Sequence, residues 1–170
     1  MVSPSPIRRR LLGFLGATIT ATGMAGCGFH LRGKTPLAFA KIYVGISPNT
    51  DLGGGLRRRL RSGGATEVVE HADAADARLE ILRDERSREI LTLTGAGKVR
   101  EYELRHAITF RVIDRAGAER IPATTITAKR EYNFDDSQIL AKEQEEALLY
   151  RDMQGDLVEQ LIRRLSAIKP

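Results

Sequence analysis

From Ala77 to Phe134 apolar and polar positions alternate with a period of two, the pattern of strands that bury one face and wet the other. Leu79 and Ile81 alternate with charges, and Ile90 to Thr94 is strand-like again. Gly95-Ala96-Gly97 marks a hairpin tip, since glycine adopts the positive φ of tight turns without steric cost. In the next strand Tyr102, Leu104, Ile108, Phe110 and Val112 share one face, with Glu101, Glu103, Arg105, Thr109 and Arg111 on the other. His106 falls on the apolar face, where a partly buried, hydrogen-bonded imidazole is expected rather than a metal ligand. Asp114-Arg115-Ala116-Gly117 turns the chain into a last strand, from about Thr124 to Phe134. Its inward residues are Ile126, Ala128, Tyr132 and Phe134, and its outward ones Thr125, Thr127, Lys129, Glu131 and Asn133. Consecutive hairpins of this kind predict an antiparallel sheet covered on one side.

Two helical patterns flank the sheet. A β-prone run, Lys41 to Ile46, ends at Ser47-Pro48-Asn49, after which Asp51 is expected to cap a helix reaching about Ser62. Leu52, Leu56 and Leu60 form its apolar face at i, i+4, i+8. Gly53-Gly54-Gly55 weakens its first turn and Gly63-Gly64 stops it. A second β-prone segment, Glu67 to Glu70, leads through an Ala/Asp-rich connector to Asp76. After the last strand, Asp135-Asp136-Ser137 offers caps for a long helix ending near Ala167. Its stripe is Leu149, Met153, Leu157, Leu161 and Leu165, widened by Val158, Ile162 and Ile168 enough to cover a sheet. Gly155 interrupts the stripe and is expected to mark a close packing contact. The order β-α-β-β-β-α predicts an α+β domain, two helices packed on one face of a four-stranded, mostly antiparallel sheet.

Upstream of this domain the pattern changes. Arg8, Arg9 and Arg10 precede a short uncharged stretch from Leu11 to Gly26, followed by the chain's one cysteine, Cys27. Basic, then apolar, then small is the order of a secretory signal peptide, and the stretch is too short and too rich in threonine for a membrane-spanning helix. Met24-Ala25-Gly26-Cys27 resembles a bacterial lipobox, whose cysteine becomes the lipid-bearing N-terminus; the alternatives are a buried free thiol, or ordinary signal cleavage nearby after small residues. An exported chain with a single cysteine cannot form an internal disulfide, so lipidation accounts for it. Several acyl chains anchor stably where one does not. Gly28, in place of an Asp, points by analogy to passage to the outer membrane. The chain thus divides into a signal peptide (1–26), a lipidated N-terminus and tether (27–40) and one domain (41–170).

Charge changes the picture little. The sequence carries 27 Lys/Arg against 22 Asp/Glu. Residues 1–26 hold three of the arginines and no acid, so the mature chain has 24 bases facing 22 acids. Export and the absence of any recognition motif argue against nucleic acid. No nucleophile elbow, no phosphate-binding glycine loop and no metal-ligand spacing among His30, His71 and His106 supports catalysis or a cofactor. Glu143, Glu145 and Glu146 are expected on a solvated helical turn. Arg57, Arg58, Arg59 and Arg61 surround the first helix's leucine face, where their stems are expected to shield the core as solvated surface. Lys98 and Arg100 flank the hairpin tip, and Lys142 stands near the start of the long helix. Gathered at one end of the sheet, such cations suit phosphate.

Three stretches resemble the lipopolysaccharide-assembly lipoprotein LptE family: Cys27-Gly28-Phe29-His30-Leu31-Arg32-Gly33; Glu101-Tyr102 with Leu104; and Leu140-Ala141-Lys142, Met153 and Gln160-Leu161-Ile162-Arg163-Arg164-Leu165. The resemblance implies a non-enzymatic outer-membrane lipoprotein. Such a protein plugs and helps assemble the β-barrel translocon LptD in a one-to-one complex, and binds lipopolysaccharide. It implies two helices on a four-stranded sheet, leaving Glu67–Glu70 without a strand of its own, or as a lead-in to the strand near Leu79. It also implies lipopolysaccharide contact at Lys142, which matches a family lysine. The family's second basic position falls on Gly95-Ala96-Gly97, so that Lys98 is its substitute here. The rival reading is an outer-membrane lipoprotein that binds another envelope partner without touching lipopolysaccharide.

Overall fold

The computed structural model describes residues 37–64 and 66–169. Strand β1 (Lys41–Gly45) leads to helix α1 (Asp51–Gly63) and strand β2 (Glu67–Val69). Three long strands follow, β3 (Ala77–Leu93), β4 (Val99–Asp114) and β5 (Glu119–Asn133), and helix α2 (Ile139–Ser166) closes the chain. The sheet has five strands in the order β2-β1-β3-β4-β5. β3, β4 and β5 form antiparallel hairpins, whereas β1 runs parallel to both β2 and β3.

The expected four-stranded sheet is therefore corrected to a five-stranded mixed one. Glu67–Val69 is a strand after all: Ile42 pairs with Val68, and the Glu67 amide donates to the Ala40 carbonyl at 2.8 Å. Without β2 the outer edge of β1 would present unpaired backbone groups. The β1-α1-β2 crossover supplies the parallel partner that a hairpin cannot.

The start of α1 also differs from expectation. Thr50, not Asp51, is the cap: its hydroxyl accepts from the Gly53 amide at 3.0 Å while its own backbone stays extended. Asp51 already has a helical backbone and sits in the first turn, where its charge faces the positive end of the helix. Gly53 is required rather than merely tolerated. A Cβ there would lie 2.1 Å from the Ser47 carbonyl oxygen. Gly155 behaves oppositely: nothing lies within 4 Å of a Cβ at that position, so the expected close contact does not exist. The long helix is entered through a 3-10 turn, Asp136–Gln138, capped by Asp135.

The core sits at one end of the sheet. Leu52, Leu56 and Leu60 of α1 and Met153, Leu157, Leu161 and Leu165 of α2 pack on Ile42, Val44, Leu79, Phe110 and Val112. In β3 only Ala77 and Leu79 are fully buried. At about 3.3 Å per residue the three long strands extend roughly 50 Å, so the β3–β4 hairpin runs on beyond the buried core, with the first half of α2 beside it. Every buried residue of α2 lies from Met153 onward.

A one-residue slip divides β3. Ile81 pairs with Phe110 and Arg83 with Thr109, so Leu82 is an extra residue that shifts the phase. Beyond it Asp84, Arg86, Arg88 and Ile90 stand opposite Ile108, His106, Leu104 and Tyr102, on the helix side. The fragments around Leu79 and Ile90 are thus one continuous strand. β5 begins earlier than expected, at Glu119, and carries Pro122 without loss because it is an edge strand.

Candidate functional site

The projecting end is built from two turns, the hairpin tip and the turn between β5 and α2. The hairpin tip closes through Gly97, at φ 78°, with the Gly97 amide donating to the Thr94 carbonyl at 2.9 Å. The end of β5 is fixed beside it by the Phe134 amide, which donates to the Arg100 carbonyl at 2.8 Å. Lys98 Nζ lies 3.5 Å from Asp136 Oδ2, joining the tip to the turn that opens α2. Lys142 Nζ donates to Glu145 Oε2 at 2.8 Å and is mostly covered, whereas Lys98 is exposed. Asp135 has its pKa lowered, first by the Ser137 amide and hydroxyl and then by the positive charges of Lys142 and Lys98. Both lysines therefore gather around the Asp135–Asp136 turn. Large apolar side chains stand exposed at the same end, Ile90 and Leu93 on β3 with Ile139 and Leu140 on α2. Cations beside open apolar surface suit an amphipathic anion better than a wholly polar one.

Behind this end lies a cluster that the alternation pattern did not reveal. Tyr102 stacks on Tyr132 with ring centres 5.8 Å apart, and meets Phe134 edge-on at 5.2 Å. The Arg88 guanidinium lies 4.5 Å from the Tyr102 ring centre. Glu146 accepts from Arg88 at 2.8 Å and from the Tyr132 hydroxyl at 2.7 Å. Burial, reinforced by the hydrogen bond to Glu146, pushes the Tyr132 hydroxyl up to about 12. Glu146 is thus not the free solvated carboxylate expected from its neighbours. Nothing in a single sequence announces this cluster, because its members come from β3, β4, β5 and α2, and the Leu82 slip decides on which side Arg88 falls.

His106 is fully buried, and its Nε2 lies 2.6 Å from Asp84 Oδ1. The described residues contain no group of three or more His, Cys, Asp or Glu able to hold a metal ion. Cys27 and the Cys27–Gly33 stretch lie outside the described residues. The arginines of α1 divide: Arg57 is buried and Arg59 half-buried, whereas Arg61, like Arg58, is exposed, as expected. Arg57 donates to the Val44 carbonyl at 2.9 Å; Arg59 pairs with Glu159, and Arg61 with Glu70 at 3.4 Å.

The face of the sheet away from the helices is mostly polar. Glu103 accepts from Lys129 at 3.0 Å and from Arg105 at 3.0 Å, and those two bonds, Lys129 first, lower its pKa. The Thr109 and Thr125 hydroxyls share a hydrogen bond of 2.9 Å, and Arg111 donates to Glu80 at 2.8 Å. No helix among the described residues is long and apolar enough to cross a membrane. These features define a class: an α+β domain with one helix-covered face, one self-paired polar face and an amphipathic end.

Comparison with known proteins narrows the class. The profile of the family described as LptE, lipopolysaccharide-assembly, matches residues 39–165. The LPS-assembly lipoprotein LptE of Pectobacterium atrosepticum is 28% identical over 158 residues, covering 91% of this chain and 83% of that protein. Among solved structures, lipoprotein B of Nitrosomonas europaea superposes with a TM-score of 0.71 at 35% identity, over 82% of this chain and 91% of that one. The minor lipoprotein of Acinetobacter baumannii gives 0.63 at 30% identity, over 78% and 94% respectively. This chain belongs to the LptE family.

Proposed function

We propose that this protein is an outer-membrane lipoprotein, anchored through Cys27, that plugs and helps assemble an LptD-type β-barrel in a one-to-one complex. In this reading it binds lipopolysaccharide during insertion at the cell surface, through Lys142 and Lys98, and performs no catalysis. The observation that carries the reading is the outer face of β3, β4 and β5, mostly polar and internally paired over three long strands. The lumen of a large outer-membrane barrel is polar and wet, so such a face enters it with little apolar surface stranded. The amphipathic end supplies the complement to a glycolipid that carries both phosphates and acyl chains.

Pull-down of the full chain in mild detergent tests the partner. Recovery of a β-barrel at one-to-one stoichiometry, with poor barrel assembly after depletion, is the expected result. Recovery of other envelope proteins and no barrel would replace the reading with its alternative, a lipoprotein serving a different envelope partner without lipopolysaccharide contact. One observation favours that alternative: Lys98 and Lys142 each already have a carboxylate, Asp136 and Glu145.

A further inference from the structure

The seam between α1 and α2 opens, beside the exposed part of β3, into a groove of about 880 Å³. Arg58 enters it from α1, Arg86 and Arg88 from β3, and Tyr150, Arg151 and Gln154 from α2. A second hollow of about 440 Å³ shares Arg58, Arg151 and Gln154 and continues along the seam past Gly55 and Gly155. Gly155, which makes no close contact, keeps that wall open.

The four arginines are not equivalent. Arg88 is committed to Glu146 and to the Tyr102 face. Arg86 is held in place by neutral groups: it donates to Gln154 Oε1 at 2.8 Å and lies 5.5 Å from the Tyr150 ring centre. Tyr150 is itself fixed by donating to the Ser87 carbonyl at 2.8 Å. Arg86 thus has its orientation set by neutral groups, without an ion pair. Arg58 and Arg151 are exposed and have no acidic partner among the described residues. Three carboxylates line the same groove, and they decide how strong the site is. Glu146 is taken up by Arg88 and Tyr132, and Asp51 faces the positive end of α1. Glu143 and Asp51 both stand against an incoming anion. Three uncommitted guanidiniums remain against two carboxylates, a surplus of positive charge in a concave site of ligand-binding size.

We propose that this groove is an anion site for a phosphorylated ligand, distinct from the Lys98–Lys142 end and independent of it. Guanidinium forks from three separate elements suit an anion with three or more oxygens, because each fork engages a different oxygen pair. A carboxylate, with two oxygens, offers a single oxygen pair to bidentate forks. The phosphate belongs either to a glycolipid headgroup or to a free phosphate anion.

The site is tested by titrating the full chain in mild detergent with inorganic pyrophosphate, and separately with lipopolysaccharide before and after enzymatic dephosphorylation. Arg58→Gln with Arg151→Gln removes two exposed guanidiniums and should weaken pyrophosphate binding by about tenfold or more. Glu143→Gln should strengthen it. Arg163→Gln with Arg164→Gln, the same charge loss at the far end of α2, should leave it within about twofold. If the natural source is a glycolipid, the Arg58/Arg151 variant also loses affinity for phosphorylated but not for dephosphorylated lipopolysaccharide. If it is a free phosphate, only pyrophosphate binding falls. No pyrophosphate binding by the wild type, or equal binding by the folded Arg58/Arg151 variant, overturns the site. Failure of the Lys98–Lys142 reading would be seen separately, in variants of those lysines.

Discussion

Asp84 Oδ1 lies 2.6 Å from Nε2 of the fully buried His106, and the two meet only because β3 slips by one residue at Leu82. Without that slip, Arg83 and Glu85 would face the helices and Asp84 would face outward. The Asp84 carboxylate is also the one hydrogen-bonding partner of the imidazole, whose Nδ1 has none. Asp84→Ala should therefore destabilise the domain by about 1–3 kcal/mol, the cost of a buried polar group left without a partner. Urea denaturation of the folded variant gives the number. A change under ~0.5 kcal/mol would mean that the pair is not structural.

Arg57 offers a second stability test. Its buried guanidinium spans from α1 to the Val44 carbonyl of β1. Arg57→Ala removes that bond and leaves the carbonyl buried, so a loss of about 1–3 kcal/mol is expected. Arg58→Ala, one residue on and exposed, should change stability by no more than ~0.5 kcal/mol. Similar losses at both positions would contradict the division of the arginine cluster into buried and solvated members.

Tyr132 sets a limit at high pH. Its folded pKa, about 12, is above the unfolded value of about 10, so the folded state holds the proton more tightly. Its contribution is complete below pH 10 and is lost as pH rises through 12. Tyr132→Phe should flatten the decline of stability in that window, measured as melting temperature against pH. An unchanged slope would show that other groups govern alkaline unfolding.

Much of this fold is legible in the sequence, and what escapes it has specific causes. The alternation in β4 and the leucine stripe of α2 predict their buried faces because each element keeps one period throughout. β3 breaks its period at Leu82, so Arg86 and Arg88 cannot be assigned a face from spacing alone. Glu67–Val69 is a three-residue strand whose existence depends on the free edge of β1, a tertiary circumstance. At the candidate site, Lys98 and Lys142 stand out as cations near turns, but their carboxylate partners and the Arg88–Glu146–Tyr132 cluster come from distant segments. The sequence motif at Cys27 lies outside the described residues and rests on its own chemistry.

That chemistry has a direct check. Cys27→Ser should abolish metabolic labelling with palmitate and release part of the protein from membranes, because the acyl chains supply the anchor. Unchanged labelling would end the lipoprotein reading.

Charge reversal addresses the amphipathic end. Lys98→Glu with Lys142→Glu should weaken lipopolysaccharide binding by about tenfold or more, as expected when charge-assisted contacts are lost, and beyond the weakening that added salt produces in the wild type. Equal binding by the folded double variant and the wild type would remove these lysines from the account.

The central claim is that the polar outer face of the sheet lies inside a barrel. A photo-crosslinking residue placed at Thr127, exposed on that face of β5, tests it in intact cells. The account predicts a crosslink to a β-barrel protein from Thr127 and none from a control position at Arg163, exposed on α2. Efficient crosslinking from Arg163 and none from Thr127 would place the barrel, if there is one, against the helices instead and contradict the account.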